Sequence, residues 1–335
     1  INASICKSPQ PCRFLDQPKS LLLSFRHSFI CPLLKFGQAS HNRAIAPETI
    51  GVAIEVPLFV TYIFLEFPIR LLQERMSAPG ATTSGFTIQL LGTGAADWGR
   101  EFKGTPGYRR FSSCIVNDDL LIDPGPHIFD YTENVFDRAE QILMTHSHSD
   151  HLSPDTLRVL GKRRERTLFG EKNGLSIANN IPGIRLSALP LFQEVVIGAY
   201  RVCALPANHG TEIPEEQAVH YTVSDGKKKI FYGCDGAWLR MDTWYYLQNQ
   251  KFDLIILDGT LGDAPGDYRI FEHNNLPMVE LMSQTMRKTG ILLPEGRIMI
   301  SHLARETHGT QEEVEERLKK SNIGVCYDGE IISLS

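Results

Sequence analysis

The sequence predicts an α/β chain in which two mixed β-sheets pack face to face with helices on their outer faces, a four-layer αββα sandwich. Three observations carry that prediction. Short apolar runs of strand habit recur from Phe86 to Ile300, several as hairpins. Helical patterns fall between and around those runs rather than in a block of their own. Several runs stop abruptly at a histidine or aspartate, as strands do when they end beside a cleft.

Phe86–Leu91 alternates with period two and reads as the first strand, ending in the turn Gly92-Thr-Gly-Ala-Ala-Asp97. Cys114–Asn117 and Leu120–Asp123 read as a hairpin across Asp118-Asp119, and Gln141–Met144 as a short buried strand stopping at Thr145. Ser153 and Pro154 start a helix, with serine as N-cap, proline in the first position and Asp155 in the first turn. Further strands are expected at Glu194–Ile197, Arg201–Pro206, Val219–Val223, Lys229–Tyr232, Phe252–Leu257 and Arg297–Ile300. Helices are expected at Trp238–Gln248, Leu276–Thr289 and Gln311–Lys320.

With 42% hydrophobic and 22% charged residues, the composition excludes disorder throughout. Residues 1–75 carry 8 Lys/Arg against 5 Asp/Glu, so the formal charge of −5 leaves −8 on residues 76–335. An acidic body argues against a nucleic-acid partner, which needs a basic face. Of seven cysteines, the four beyond residue 75 sit mostly in apolar runs with no metal or disulfide spacing; they read as buried reduced thiols in a reducing cytoplasm.

The first 75 residues differ from the rest. They lack a convincing period, and all seven methionines fall in 76–335. The expectation is that residues 1–75 are an N-terminal extension translated from upstream sequence, that Met76 is the natural start, and that 76–335 is the working domain. A targeting or membrane segment fits less well. Gly51–Leu72 contains Glu55, Glu66, Pro57 and Pro68, whereas a spanning helix wants about 20 residues nearly free of charge. Leu21–Phe36 is broken by Arg26, His27 and Pro32 and lacks a small-residue cleavage pattern. No membrane partner is expected.

The chemistry centres on His146-Ser-His148-Ser-Asp150-His151, directly after a buried strand. Imidazole and carboxylate suit zinc, manganese or iron, and the lack of thiolate argues against a structural zinc site. Later strands end at His209, Asp235 and His302. Each alone reads as a capping or core residue, but together with the motif they make a ligand set for metal-dependent hydrolysis.

With these residues the chain resembles the metallo-β-lactamase-fold metallohydrolases from about Phe86 onward. The resemblance implies two divalent metal ions. His146, His148 and His209 would hold one, Asp150, His151 and His302 the other, and Asp235 would bridge them. Asp123, in Leu-Ile-Asp-Pro-Gly, would orient the histidine loop. Two cations about 3.5–4 Å apart would share a bridging hydroxide as nucleophile, with Asp150 also accepting its proton.

Leu91-Gly-Thr-Gly-Ala-Ala, Tyr108-Arg-Arg, Leu205-Pro-Ala-Asn-His and Ile323-Gly-Val-Cys-Tyr-Asp-Gly-Glu are similar to the phosphodiesterase branch. Among its members the chain resembles the cyclic ribose phosphate phosphodiesterases of phosphonate breakdown. That implies a small-molecule phosphodiester as substrate, His273 as general acid and, by position, Arg109 and Arg110 as a phosphate clamp or as partners of surface acids. The structural-zinc cysteines of those enzymes are missing between Trp98 and Tyr108, so no structural zinc is expected. The alternatives are a nuclease of the same fold (whose flexible basic arm is not found), a lactonase or thioesterase, and a non-enzymatic metal-binding protein. A homodimer remains open.

Overall fold

The computed structural model describes residues 85–335 apart from 131 and 132. The expectations for residues 1–75, and for a start at Met76, lie outside the described residues. Two seven-stranded sheets form the body. The first contains β1 (Phe86–Gly92), β2 (Ser113–Val116), β3 (Leu120–Ile122), β4 (Gln141–Leu143), β5 (Arg166–Gly170), β6 (Ile184–Ala188) and β14 (Ile331–Leu334), in the order β14-β1-β2-β3-β4-β5-β6. The second contains β7 (Glu194–Ile197), β8 (Tyr200–Pro206), β9 (Val219–Ser224), β10 (Lys229–Gly233), β11 (Phe252–Asp258), β12 (Leu292–Ser301) and β13 (Gly324–Val325), paired in sequence order. Four α-helices accompany them among the described residues: α1 (Pro154–Arg163), α2 (Met241–Leu247), α3 (Leu276–Lys288) and α4 (Gln311–Leu318).

Strand periodicity sorts the side chains into three cores. On β3, Leu120 and Ile122 face the other sheet while Leu121 faces outward; on β11, Leu254 and Ile256 face inward while Ile255 and Leu257 face outward. The inward set joins Tyr221, Tyr232 and Val202 in the core between the sheets. The outward set of the first sheet packs on Leu157 and Leu160 of α1, and that of the second on Val279, Met282 and Met286 of α3 and Val314 and Leu318 of α4. The layers therefore run helix, sheet, sheet, helix, as the sequence predicts.

Two bonds tie the sheets at one edge: Val219 N donates to Thr145 O at 2.9 Å, and the Tyr221 hydroxyl to Met144 O at 2.5 Å. The cysteines Cys114, Cys203, Cys234 and Cys326 are free and buried, as expected.

Some boundaries differ from the sequence reading. Strands β5, β6 and β14 were not anticipated, and β12 begins at Leu292 rather than Arg297. Its first half carries Pro294 and Gly296, and its pairing with β11 shifts register between Phe252 and Leu254, which breaks the alternation that signals a strand. The helix expected from Trp238 begins at Met241, so Trp238 lies on the preceding turn, 42% exposed. No helix among the described residues is long and apolar enough to cross a membrane.

Candidate metal centre

Every segment of the site leaves the carboxyl end of a strand. Asp123 follows β3, His146–His151 follow β4, His209 follows β8, Asp235 follows β10, Asp258 closes β11 and His302 follows β12. Strands β3 and β4 run parallel, as do β10, β11 and β12, and β8 shares the direction of β10 through the antiparallel β9. Carboxyl ends therefore gather at one edge of each sheet, where α/β folds place their ligands. Asp123, Asp235 and His302 sit there with positive φ of 54°, 57° and 59°. That backbone costs about 1 kcal/mol or more at a residue other than glycine, and it turns the chain sharply enough to aim each side chain back into the edge.

Four imidazoles are oriented through Nδ1. That of His146 meets the Thr145 hydroxyl at 3.0 Å, that of His151 meets Asp123 Oδ2 at 3.0 Å, that of His209 meets Glu272 O at 3.0 Å and that of His302 meets the Thr260 hydroxyl at 2.8 Å. A proton at Nδ1 leaves the Nε2 lone pair for a cation. The acceptors are themselves held. Asp123 accepts from Thr145 N at 2.7 Å and from its hydroxyl at 2.9 Å.

The four Nε2 atoms converge on Asp235. Its Oδ2 lies 3.3 Å from His146, 3.2 Å from His151, 3.4 Å from His209 and 3.6 Å from His302. Around it the donors fall into two sets. In the first, His209 Nε2 is 3.1 Å from His148 Nδ1. In the second, Asp150 Oδ2 is 3.5 Å from both His151 Nε2 and His302 Nε2, which are 3.2 Å apart. A tetrahedral cation with donors at 2.0–2.1 Å has donor–donor edges of about 3.4 Å. The observed edges match in both sets, and each set takes two donors from the first sheet's loops and two from the second's.

The donors also want such a partner. His146 Nε2 is buried without a hydrogen-bond partner, a costly state that a cation among the donors would relieve. Burial, reinforced by His151, holds His146 well below the ordinary imidazole range despite Asp235, which keeps it in the neutral form that binds metals. The residues present therefore fit divalent cations.

His273 stands beside this cluster, its Nδ1 3.0 Å from Asp235 Oδ1 and 3.4 Å from Asp258 Oδ2. Burial works against its charge, but the Asp235 and Asp258 carboxylates outweigh it and push the ring up to about 11. Asp258 is the residue the sequence reading missed. Fully buried, it accepts from Asn274 N at 2.8 Å and the Thr260 hydroxyl at 2.6 Å, and faces His302 Nδ1 at 3.4 Å. A signal existed: Leu257-Asp258-Gly259 repeats the form of Cys234-Asp235-Gly236.

Arg109 and Arg110 are occupied elsewhere. Arg109 is 8% exposed and donates to the Thr93 hydroxyl at 2.7 Å, Cys326 O at 2.9 Å and Gln311 Oε1 at 2.5 Å. Arg110 pairs with Asp328 at 3.3 Å. Both arginines therefore have partners within the protein, the second of the two roles the sequence left open. Trp98 packs inside, donating to Leu303 O at 2.8 Å, and His308 meets Gly259 O at 2.6 Å.

Residues 119–302, more than half of the 335, match the family profile described as a Beta-lactamase superfamily domain. Among solved structures the chain is similar to the metallo-beta-lactamase fold protein YhfI from Bacillus subtilis, with 15% identity, 75% of this chain and 100% of that one covered, and a TM-score of 0.59. It is also similar to a diphosphatase from the PhnP family (18% identity, 75% and 98% covered, TM-score 0.59) and to the short form of human tRNase Z (17% identity, 74% and 99% covered, TM-score 0.51). At these identities the likeness is one of fold. No curated protein matches the chain.

Proposed function

The chain belongs to the β-lactamase superfamily, and from that premise we propose that it is a dinuclear metal-dependent hydrolase acting on a small phosphodiester, open or cyclic. The observation that carries the reading is the pair of donor sets with tetrahedral edges meeting at Asp235 Oδ2. Zinc or manganese ions, or iron, bound there would act as Lewis acids and lower the pKa of a water toward neutrality.

The chain's own residues divide the remaining work. His146, His148 and His209 would hold one ion and Asp150, His151 and His302 the other, with Asp235 shared between the two sets. Asp150 doubles as the proton acceptor of the second set, through the carboxylate oxygen that does not hold the ion. His273 turns Nδ1 to Asp235 and Asp258, and its other ring nitrogen is left to give a proton to a departing alkoxide. That acid is what favours a substrate with a poor alkoxide leaving group over a thioester, whose thiolate departs unprotonated.

A small substrate is favoured over nucleic acid by the wall of the site. A cavity of about 510 Å³ opens beside His209 and is lined by Glu212, Glu215, Glu216 and Glu272, with Arg240 as its one cationic side chain. A polyanion would meet repulsion there, where nucleic-acid sites present lysine and arginine.

The test is metal analysis combined with a substrate panel of bis(p-nitrophenyl) phosphate, RNA, a lactone and a thioester. Two bound ions and cleavage of the diester are expected. Rapid opening of the lactone with an intact diester would overturn the phosphodiesterase reading.

A further inference from the structure

We propose that Glu216 is a positioning residue that latches the loop carrying His209 onto the loop carrying His146 and His148. The inference rests on the metal reading above. Ser147 lies between the two histidines and is 8% exposed, and its hydroxyl donates to Glu216 Oε2 at 2.5 Å. Glu216 sits on the segment between β8 and β9 that carries His209, 69 positions away from Ser147 in the chain. The Ser147 backbone also hydrogen-bonds to the Glu216 carboxylate, so this contact sets where that backbone lies. The backbone of Ser147 in turn spaces the two imidazoles on either side of it.

The acid end of the latch is built in. Glu216 N donates to Ile213 O at 3.2 Å, and the neighbouring Gln217 amide donates to Ala207 O and Ala218 O, each at 2.9 Å, which closes the loop on itself. A Cβ added at Gly174 would come within 2.3 Å of Glu216 Oε1, so glycine there leaves room for the carboxylate. Asn173 binds the same loop, donating to Glu215 O at 2.8 Å. The Thr211 side chain, on the same loop, also hydrogen-bonds to the Glu216 carboxylate.

The latch acts on the first donor set, because His146 and His148 come from one of the joined loops and His209 from the other. The Asp150, His151 and His302 set is not bridged by it. Loss of the latch should therefore weaken one of two ions, not both.

Zinc affinity of the full chain, read by competition with a chelating dye, tests this without reference to turnover. Glu216→Ala and Ser147→Ala should each weaken one zinc by about 10–100-fold, the range for partners that orient ligands. Glu216→Gln keeps an oxygen acceptor for Ser147 and should stay within about threefold of wild type. The Ser147→Ala/Glu216→Ala double variant should lose no more than either single one, as residues acting through one contact do. Wild-type zinc affinity in Glu216→Ala, equal weakening of both ions, or a Glu216→Gln as poor as Glu216→Ala would overturn the proposal. A wild-type chain that binds no zinc or manganese would instead overturn the dinuclear reading on which it rests.

Discussion

Asp258 presents Oδ2 to the Nδ1 edge of His302 at 3.4 Å, on the side opposite the nitrogen that faces Asp150 and Asp235. The Thr260 hydroxyl bridges the two, donating to Asp258 at 2.6 Å and meeting the imidazole at 2.8 Å. Asp123, Thr145 and His146 repeat this arrangement in the other sheet. Asp258→Asn should therefore misorient His302, since an amide donor in place of Oδ2 opposes the imidazole N–H. Metal affinity should fall by about 10–100-fold, read by chelator competition. Unchanged affinity would mean that Asp258 does not orient this ligand.

Asp235 Oδ2 lies within 3.6 Å of four imidazoles, so no other single donor serves both sets as closely. Asp235→Ala should reduce bound metal from two ions toward none, and activity by more than the about 100-fold upper range of an outer partner. Chelation should lower the thermal midpoint of wild type and leave that of Asp235→Ala nearly unmoved, because stabilisation by an ion requires that it bind. Atomic emission and a melting series check both.

His273→Ala should separate substrates by leaving group. Alkyl diesters need the proton and should lose about 10²–10⁴ in kcat/KM; bis(p-nitrophenyl) phosphate, whose leaving group departs unprotonated, should lose far less. Equal losses on the two would remove His273 as the acid and leave it as a brace for Asp235.

Away from the site, Arg166 is 1% exposed and gives its guanidinium to backbone carbonyls: Ala139 O at 2.7 Å, Phe136 O at 2.7 Å and Leu160 O. Arg166→Met should cost about 3–5 kcal/mol by stranding those carbonyls, without changing the number of ions bound. Urea unfolding with metal analysis of the folded variant tests it.

The candidate ligands were legible because each closely follows an apolar run that gives way to a loop, and because four of them crowd into His146–His151. Asp258 ends a run in the same way, yet its carboxylate touches ligands rather than joining either expected set, and spacing alone does not reveal contact between β11 and β12. The same limit applied to Arg109 and Arg110, whose partners Gln311, Cys326 and Asp328 lie some 200 residues along the chain. The sheets were legible where one face is buried and the alternation is clean, as in β1, and where an unbroken apolar run is buried on both faces, as in β11. They were not in β6, where exposure is mixed throughout, or in the first half of β12, where Pro294 and Gly296 interrupt the pattern.

Because each donor set takes two corners from the loops of one sheet and two from the other, the edge of the sandwich cannot part while an ion is seated. Separation of the sheets at Thr145 and Val219 and release of the ion then become one event. The lifetime of a bound ion would be set by how often the sandwich opens rather than by the strength of any single bond. Metal exchange and the exchange of amide protons along β4 and β9 should run on a common clock.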